Sequence, residues 1–179
     1  MAVGGLAGCL LTGPLVHRVG HARVFASMAA TVTLSILIIT LGTEPVLWML
    51  SRTLYGFAAA GLFIVSQSWL NDACANEWRG RIIAIFYMTY VVAIGAGSFL
   101  LTFVSLQGLQ GPLLSIFFTT LAILPVGLTR LRTPPPPETV SVAIRAVWGI
   151  SPIGLVGLFA VGGLTMLVQG FAPIYAAAE

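Results

Sequence analysis

Six apolar runs, each near the length of a bilayer-spanning helix, divide this chain, and polar stretches between them hold nearly all of the charge. The runs extend from about Ala2 to Val16, Val24 to Leu41, Val46 to Leu70, Ile82 to Leu106, Pro112 to Leu128 and Val147 to Tyr175. A helix needs roughly 20 apolar residues to cross the hydrocarbon core of a bilayer. With backbone groups unsatisfied in lipid, only helices and closed barrels can span. Barrel strands alternate apolar and polar residues, whereas these runs are apolar on every face. The pattern therefore predicts an all-α polytopic bundle of about six transmembrane helices. Composition agrees: only 7% of the 179 residues are charged and 58% are hydrophobic. Soluble domains carry roughly a quarter charged residues, so an ordinary water-facing surface is excluded.

The charges that are present report orientation. All eight basic residues are Arg. Seven lie after runs one, three and five: Arg18 and Arg23, Arg79 and Arg81, then Arg130, Arg132 and Arg145. The turns after runs two and four hold none, which is the positive-inside pattern. The odd turns are expected in the cytoplasm and both chain ends outside. Arginines separated by apolar spans make no basic stripe, so nucleic acid is not an expected partner. Met1 to Gly5 carries no positive segment, so a cleavable signal peptide is not expected.

Small residues recur four apart within the runs: Gly4 and Gly8, Gly56 and Ala60, Ala93 and Gly97. Such pairs let helix backbones approach closely in a membrane. Arg52 lies inside the third run, where a charge is costly and normally faces a cavity; snorkelling to the membrane surface is the alternative. Gln67 and Gln169 are the uncharged cavity candidates, because a buried amide needs a partner, and helix-to-helix bonding would serve equally. His17 and His21 stand four apart, but Gly20 intervenes and no third ligand is near. No metal site and no cofactor is expected. No nucleophile, phosphate-loop or zinc-hydrolase motif occurs in the chain, so it is not expected to be an enzyme. Two cysteines, Cys9 and Cys74, are too few for a disulfide framework.

The stretch Gly13-Pro14-Leu15-Val16-His17-Arg18-Val19-Gly20-His21-Ala22-Arg23 resembles the signature loop of the major facilitator superfamily, G-x-L-x-D-R-x-G-R-(R/K)-(R/K). Gly13, Leu15, Arg18, Gly20 and Arg23 match in register. His17 stands where that pattern has Asp, so a neutral or pH-dependent side chain replaces a permanent carboxylate. Arg52-Thr53-Leu54-Tyr55-Gly56, followed by small residues, is similar to the superfamily's helix-4 pattern R-x-x-x-G. Trp69-Leu70-Asn71-Asp72, Arg79-Gly80-Arg81 and Ser151-Pro152-Ile153-Gly154-Leu155 resemble a little-characterised bacterial branch. In that branch Glu is common before Ser-Trp-Leu, and Gln67 occupies the place here.

The resemblance implies a register. The signature loop belongs after helix 2, yet here it follows the first run. The long connector with Pro134 to Pro137 belongs after helix 6, yet here it follows the fifth. Residues 1–129 are then expected to hold helices 2 to 6 of the N-terminal half, 130–146 the cytoplasmic connector and 147–179 helix 7. The implied function is secondary transport of small solutes by alternating access across the bacterial inner membrane, multi-pass in the lipid bilayer, incomplete as given. Proton coupling is a family-level implication. Arg52, Gln67 and Gln169 would line the pathway, and Gly13, His17, Arg18, Gly20, Arg23 and Asp72 would form a cytoplasmic gating loop, with Arg18 paired to Asp72. No carboxylate falls inside a run, so the counter-charge of Arg52 would be a carboxylate on a helix not present or an anionic substrate. A non-transporting truncated fragment, or a helix-association module, is the rival reading of the same residues.

Overall fold

The computed structural model describes residues 1–42, 44–104, 108–128 and 148–178, with side chains left aside at 166, 169, 170, 172–174 and 176–178. The connector expected at 130–146 lies outside the described residues. The chain divides into two compact units, residues 1–137 and 138–179.

The first unit holds five helices: α1 (Ala2–Val19), α2 (His21–Thr40), α3 (Pro45–Ala73), α4 (Arg79–Leu101) and α5 (Gln110–Leu128). All five are long and apolar enough to cross a membrane. The structure corrects the first polar turn. His17 and Arg18 close α1, His21 and Arg23 open α2, and Gly20 alone joins the two helices. Gly20 sits at φ 87°, ψ 159°, a conformation that side-chain-bearing residues rarely adopt. One residue can then reverse the chain, and polar residues become helix ends. At the other end of α2, Glu44 precedes α3 and Pro45 occupies its first turn. Proline is tolerated there because that N–H has no helical partner.

α3 is the centre of the unit and packs along both α1 and α2, while α2 also packs on α5. Glycines set the distance between α1 and α3. A Cβ on Gly4 would overlap the backbone of Thr53, and one on Gly8 would lie 2.5 Å from Phe57 O and 3.1 Å from Ala60 Cβ. On the facing side, a Cβ on Gly56 would overlap Met1 O. Two of the three small-residue pairs therefore form one interface. The third does not: Gly97 has no atom from another part of the fold near it, and Ala93 and Gly97 line a cavity instead. Val16, Val24, Met28, Ala58 and Val65 form the apolar core where α1, α2 and α3 meet. Within that core Ser51 Oγ donates to Ser35 O across 2.6 Å. A cross-helix bond of this kind has no water to compete with it in lipid.

α4 has no buried residue, and Ile85, Met88, Val91 and Val92 all stand exposed along it. In water an apolar face this large would drive association. Lipid solvates it at no such cost, so the exposed surface is itself the mark of a membrane protein.

The second unit contains α6 (Pro152–Ala178), 27 residues long. It begins five residues after the start of the apolar run because Ser151 caps it. The Gly154 N–H donates to Ser151 Oγ at 3.2 Å and Pro152 fills the first helical position. The Ser-Pro-x-Gly sequence is thus a helix start in its own right.

Candidate functional site

Arg52 sits seven residues into α3, about 10 Å along the helix axis from Pro45. Side chains on a helix lean toward its N-terminus, and the Arg52 guanidinium does so. Its Cζ lies 5.1 Å from the ring centroid of Trp48, one turn back. This cation–π contact is the only interaction of the guanidinium among the described residues; Nε is buried and has no hydrogen-bond partner. Of the described carboxylates, Glu44 and Glu77 are exposed and the Asp72 side chain is partly buried against His21, and none pairs with it.

Arg52 lines a partly open cavity of about 930 Å³ between α2, α3, α4 and α5. Among the described residues it is the one charged group in that wall. Ser35, Ser51, Ser115 and Thr119 are also present, but their hydroxyls already donate to backbone carbonyls. Tyr55, one turn along α3 from Arg52, carries the wall's other uncommitted donor among the described residues. The remaining lining is apolar, with Phe99, Phe103 and Phe118 prominent. A second cavity of about 450 Å³ shares Val32, Tyr55, Phe118 and Thr119 with the first. It runs on toward Phe63, Phe86 and Tyr90, whose rings pack at 5.5 to 5.6 Å from Phe63.

Gln67 finds a partner across helices: its Nε2 donates to Tyr87 Oη on α4 at 2.8 Å. It lines neither of these cavities, and the bond it makes runs from helix to helix. The side chain of Gln169 lies outside the described residues.

At the other end of α3 the turn residues do not gather as expected. Gly13, His17, Arg18 and Arg23 are exposed, and a side chain at Gly13 would meet nothing. Asp72 does not pair with Arg18; it faces His21, with Oδ2 3.4 Å from Nε2. His21 is 1% exposed. The same Nε2 lies 3.2 Å from Ser68 Oγ, and the imidazole stacks on Trp69 at 6.1 Å. The reason is the one-residue link at Gly20, which places His21 on the buried side of α2 rather than in a loop. Ser68 and Asp72, four apart on α3, form the matching face. That spacing was readable in the sequence, but not without knowing that His21 is helical. A double-mutant cycle with His21→Ala and Asp72→Ala, read by thermal stability in detergent, is expected to give a coupling on the order of 1 kcal/mol. Additive single effects would leave the contact without energetic content.

The Major Facilitator Superfamily profile matches residues 1–179. The chain belongs to the major facilitator superfamily. Among curated relatives, the uncharacterized MFS-type transporter YcaD of Escherichia coli O139:H28 (strain E24377A / ETEC) is 29% identical over 177 residues, which cover 96% of this chain and 46% of that protein. YcaD of Shigella sonnei (strain Ss046) gives the same figures. YcaD of Escherichia fergusonii is 27% identical over 175 residues with the same coverage. The chain thus spans about half the length of the curated relatives it matches. No solved structure matches it significantly. The Gly20 link falls within the stretch that resembles the superfamily's signature loop, and His21 stands where that pattern has an arginine.

Proposed function

We propose that this chain forms part of a secondary transporter that moves small solutes by alternating access. One observation carries the reading. A bundle of this superfamily holds an arginine, uncommitted by hydrogen bond or ion pair among the described residues, in the wall of a cavity large enough for a metabolite. Ligand sites run from about 300 to 1,000 Å³ and combine apolar walls with a few placed polar groups. A lone charge inside a membrane helix is expensive and marks a pathway by default. The aromatic cluster of Phe63, Phe86 and Tyr90 narrows the space beyond Tyr55 and would act as a constriction on that pathway. The direction of the Arg52 side chain, toward Trp48, also fits snorkelling. The place of Arg52 in the cavity lining favours the cavity role.

In this reading residues 1–129 carry helices 2 to 6 of the N-terminal half, 130–146 a cytoplasmic connector and 147–179 helix 7. The Gly20 turn lies at the cytoplasmic face of the bacterial inner membrane, and His21–Asp72 fastens α2 to α3 there. The test is solute flux in proteoliposomes containing the whole transporter of which this chain is part, compared with liposomes lacking it. Flux no higher than in empty liposomes, across uncharged, cationic and anionic solutes, would overturn the reading.

Orientation has its own test. In a background lacking Cys9 and Cys74, cysteines introduced at Glu44 and Gly108 are expected to react with an impermeant thiol reagent added to intact cells. Cysteines at Asn76 and Ala22 are expected to stay protected until the cells are opened. The reverse pattern would invert the topology, and with it the cytoplasmic placement of the His21–Asp72 pair.

A further inference from the structure

Resting on the transport reading, and deepening it, we propose that the cavity of α2 to α5 takes a lipophilic organic monoanion: a carboxylate or sulfonate on an aromatic or aliphatic body. The wall sorts ligands by what it can still offer. Four of its hydroxyl side chains have committed their protons to backbone carbonyls, at 2.6 Å for Ser35 and Ser51, 3.0 Å for Ser115 and 2.7 Å for Thr119. Those hydroxyl oxygens can still accept, but a polyol would find free donors only at Arg52 and Tyr55, in a lining that is otherwise apolar. A cation would meet Arg52 with no carboxylate to offset it, since no described Asp or Glu lines the cavity.

What remains uncommitted is a donor pair on one helix face. Arg52 and Tyr55 stand three residues apart on α3 and both line the cavity. Residues at that spacing are neighbours on a helix surface. A guanidinium presents a planar fork that matches a carboxylate, and the tyrosine hydroxyl can add a third donor. One charge in the wall balances one charge on the ligand. A di- or trianion would carry an unpaired charge into an apolar space, which is costly. The body of the ligand faces Ile36, Ile39, Phe99, Phe103 and Phe118, none of which can hydrogen-bond it. A bare inorganic anion would fill the fork but leave a cavity of about 930 Å³ otherwise unused. An amphipathic monoanion uses both halves of the wall.

The probe set is 2-naphthoate, its uncharged amide 2-naphthamide, and inorganic sulfate, with binding measured by titration calorimetry on the purified protein in detergent. Naphthoate is expected to bind at least tenfold more tightly than naphthamide, with sulfate weaker than either. Arg52→Gln should reduce that preference to within about twofold, and Arg52→Lys should retain part of it. Equal binding of naphthoate and naphthamide by the wild-type protein would overturn the proposal without any variant having to fold. So would an undiminished naphthoate preference in Arg52→Gln, or no binding of naphthoate at all. The two readings fail separately. Flux of uncharged solutes with no anion preference would sink the ligand class and leave transport standing. Arg52-dependent naphthoate binding without flux of any solute would do the opposite.

Discussion

Replacing Arg52 with leucine is expected to raise the melting temperature of the protein in detergent and to abolish solute flux. Two opposing energies decide the sign for stability. Placing Arg in a membrane span costs roughly 2.5–3.5 kcal/mol at the helix centre on insertion scales, and less toward the ends. The cation–π contact with Trp48 offsets about 0.5–2 kcal/mol of that. With Nε buried and without a partner, the cost outweighs the contact. Leucine removes the cost and fits an already apolar wall, so a net gain on the order of 1–2 kcal/mol follows. Flux goes the other way, because the one charged group in the described wall of the cavity is gone. Snorkelling predicts little change in either readout. A lower melting temperature would mean that Arg52 is not a net cost to the fold. Wild-type flux in Arg52→Leu would remove Arg52 from the pathway. The opposed signs make the experiment informative, since a merely damaged fold would lower both readouts.

Much of this fold is written in its apolar runs, and the reasons are physical. A membrane leaves the backbone no option but helix, so length and hydropathy suffice to place α1 to α5. The boundaries were harder. Polar residues between runs look like loops, but Gly20 turns the chain in a single residue, and His17, Arg18, His21 and Arg23 become helix ends. The place of Arg52 in a cavity wall was legible because a charge inside an apolar run has few explanations. The His21–Asp72 contact was not, because it depends on which face of α2 is buried. Arg18 looked like the natural partner of Asp72 on charge alone; geometry gave that place to a histidine. The pairing of Gln67 with Tyr87 was equally hidden, since it needs the rotation of α4 against α3.

The same logic of backbone distance gives the largest stability effect expected in the chain. Alanine at Gly4 should destabilise the protein by about 3 kcal/mol, whereas alanine at Gly95 should be neutral or slightly stabilising. Both changes add one methyl group to a membrane helix, and both would raise intrinsic helix propensity. They differ in what the methyl meets. At Gly95 nothing lies within 4 Å. At Gly4 the new Cβ would overlap Thr53 O and C, which are backbone atoms of α3 and have no rotamer to change. Only separation of α1 from α3 relieves the overlap. That separation is not local, because Gly8 meets Phe57 and Ala60 one turn along. Further on, Thr12 and Met28 close around Gly61, with Thr12 Oγ1 and Met28 Cγ each 3.1 Å from where a Gly61 Cβ would sit. Moving α1 away therefore loosens the meeting point of α1, α2 and α3 as well. Melting in detergent measures both variants side by side. Equal effects of Gly4→Ala and Gly95→Ala would show that the close approach of α1 and α3 is not what holds the bundle together. A loss at Gly4 alone, reproduced at Gly56, where the added Cβ would overlap Met1 O from the other side, would show that it is.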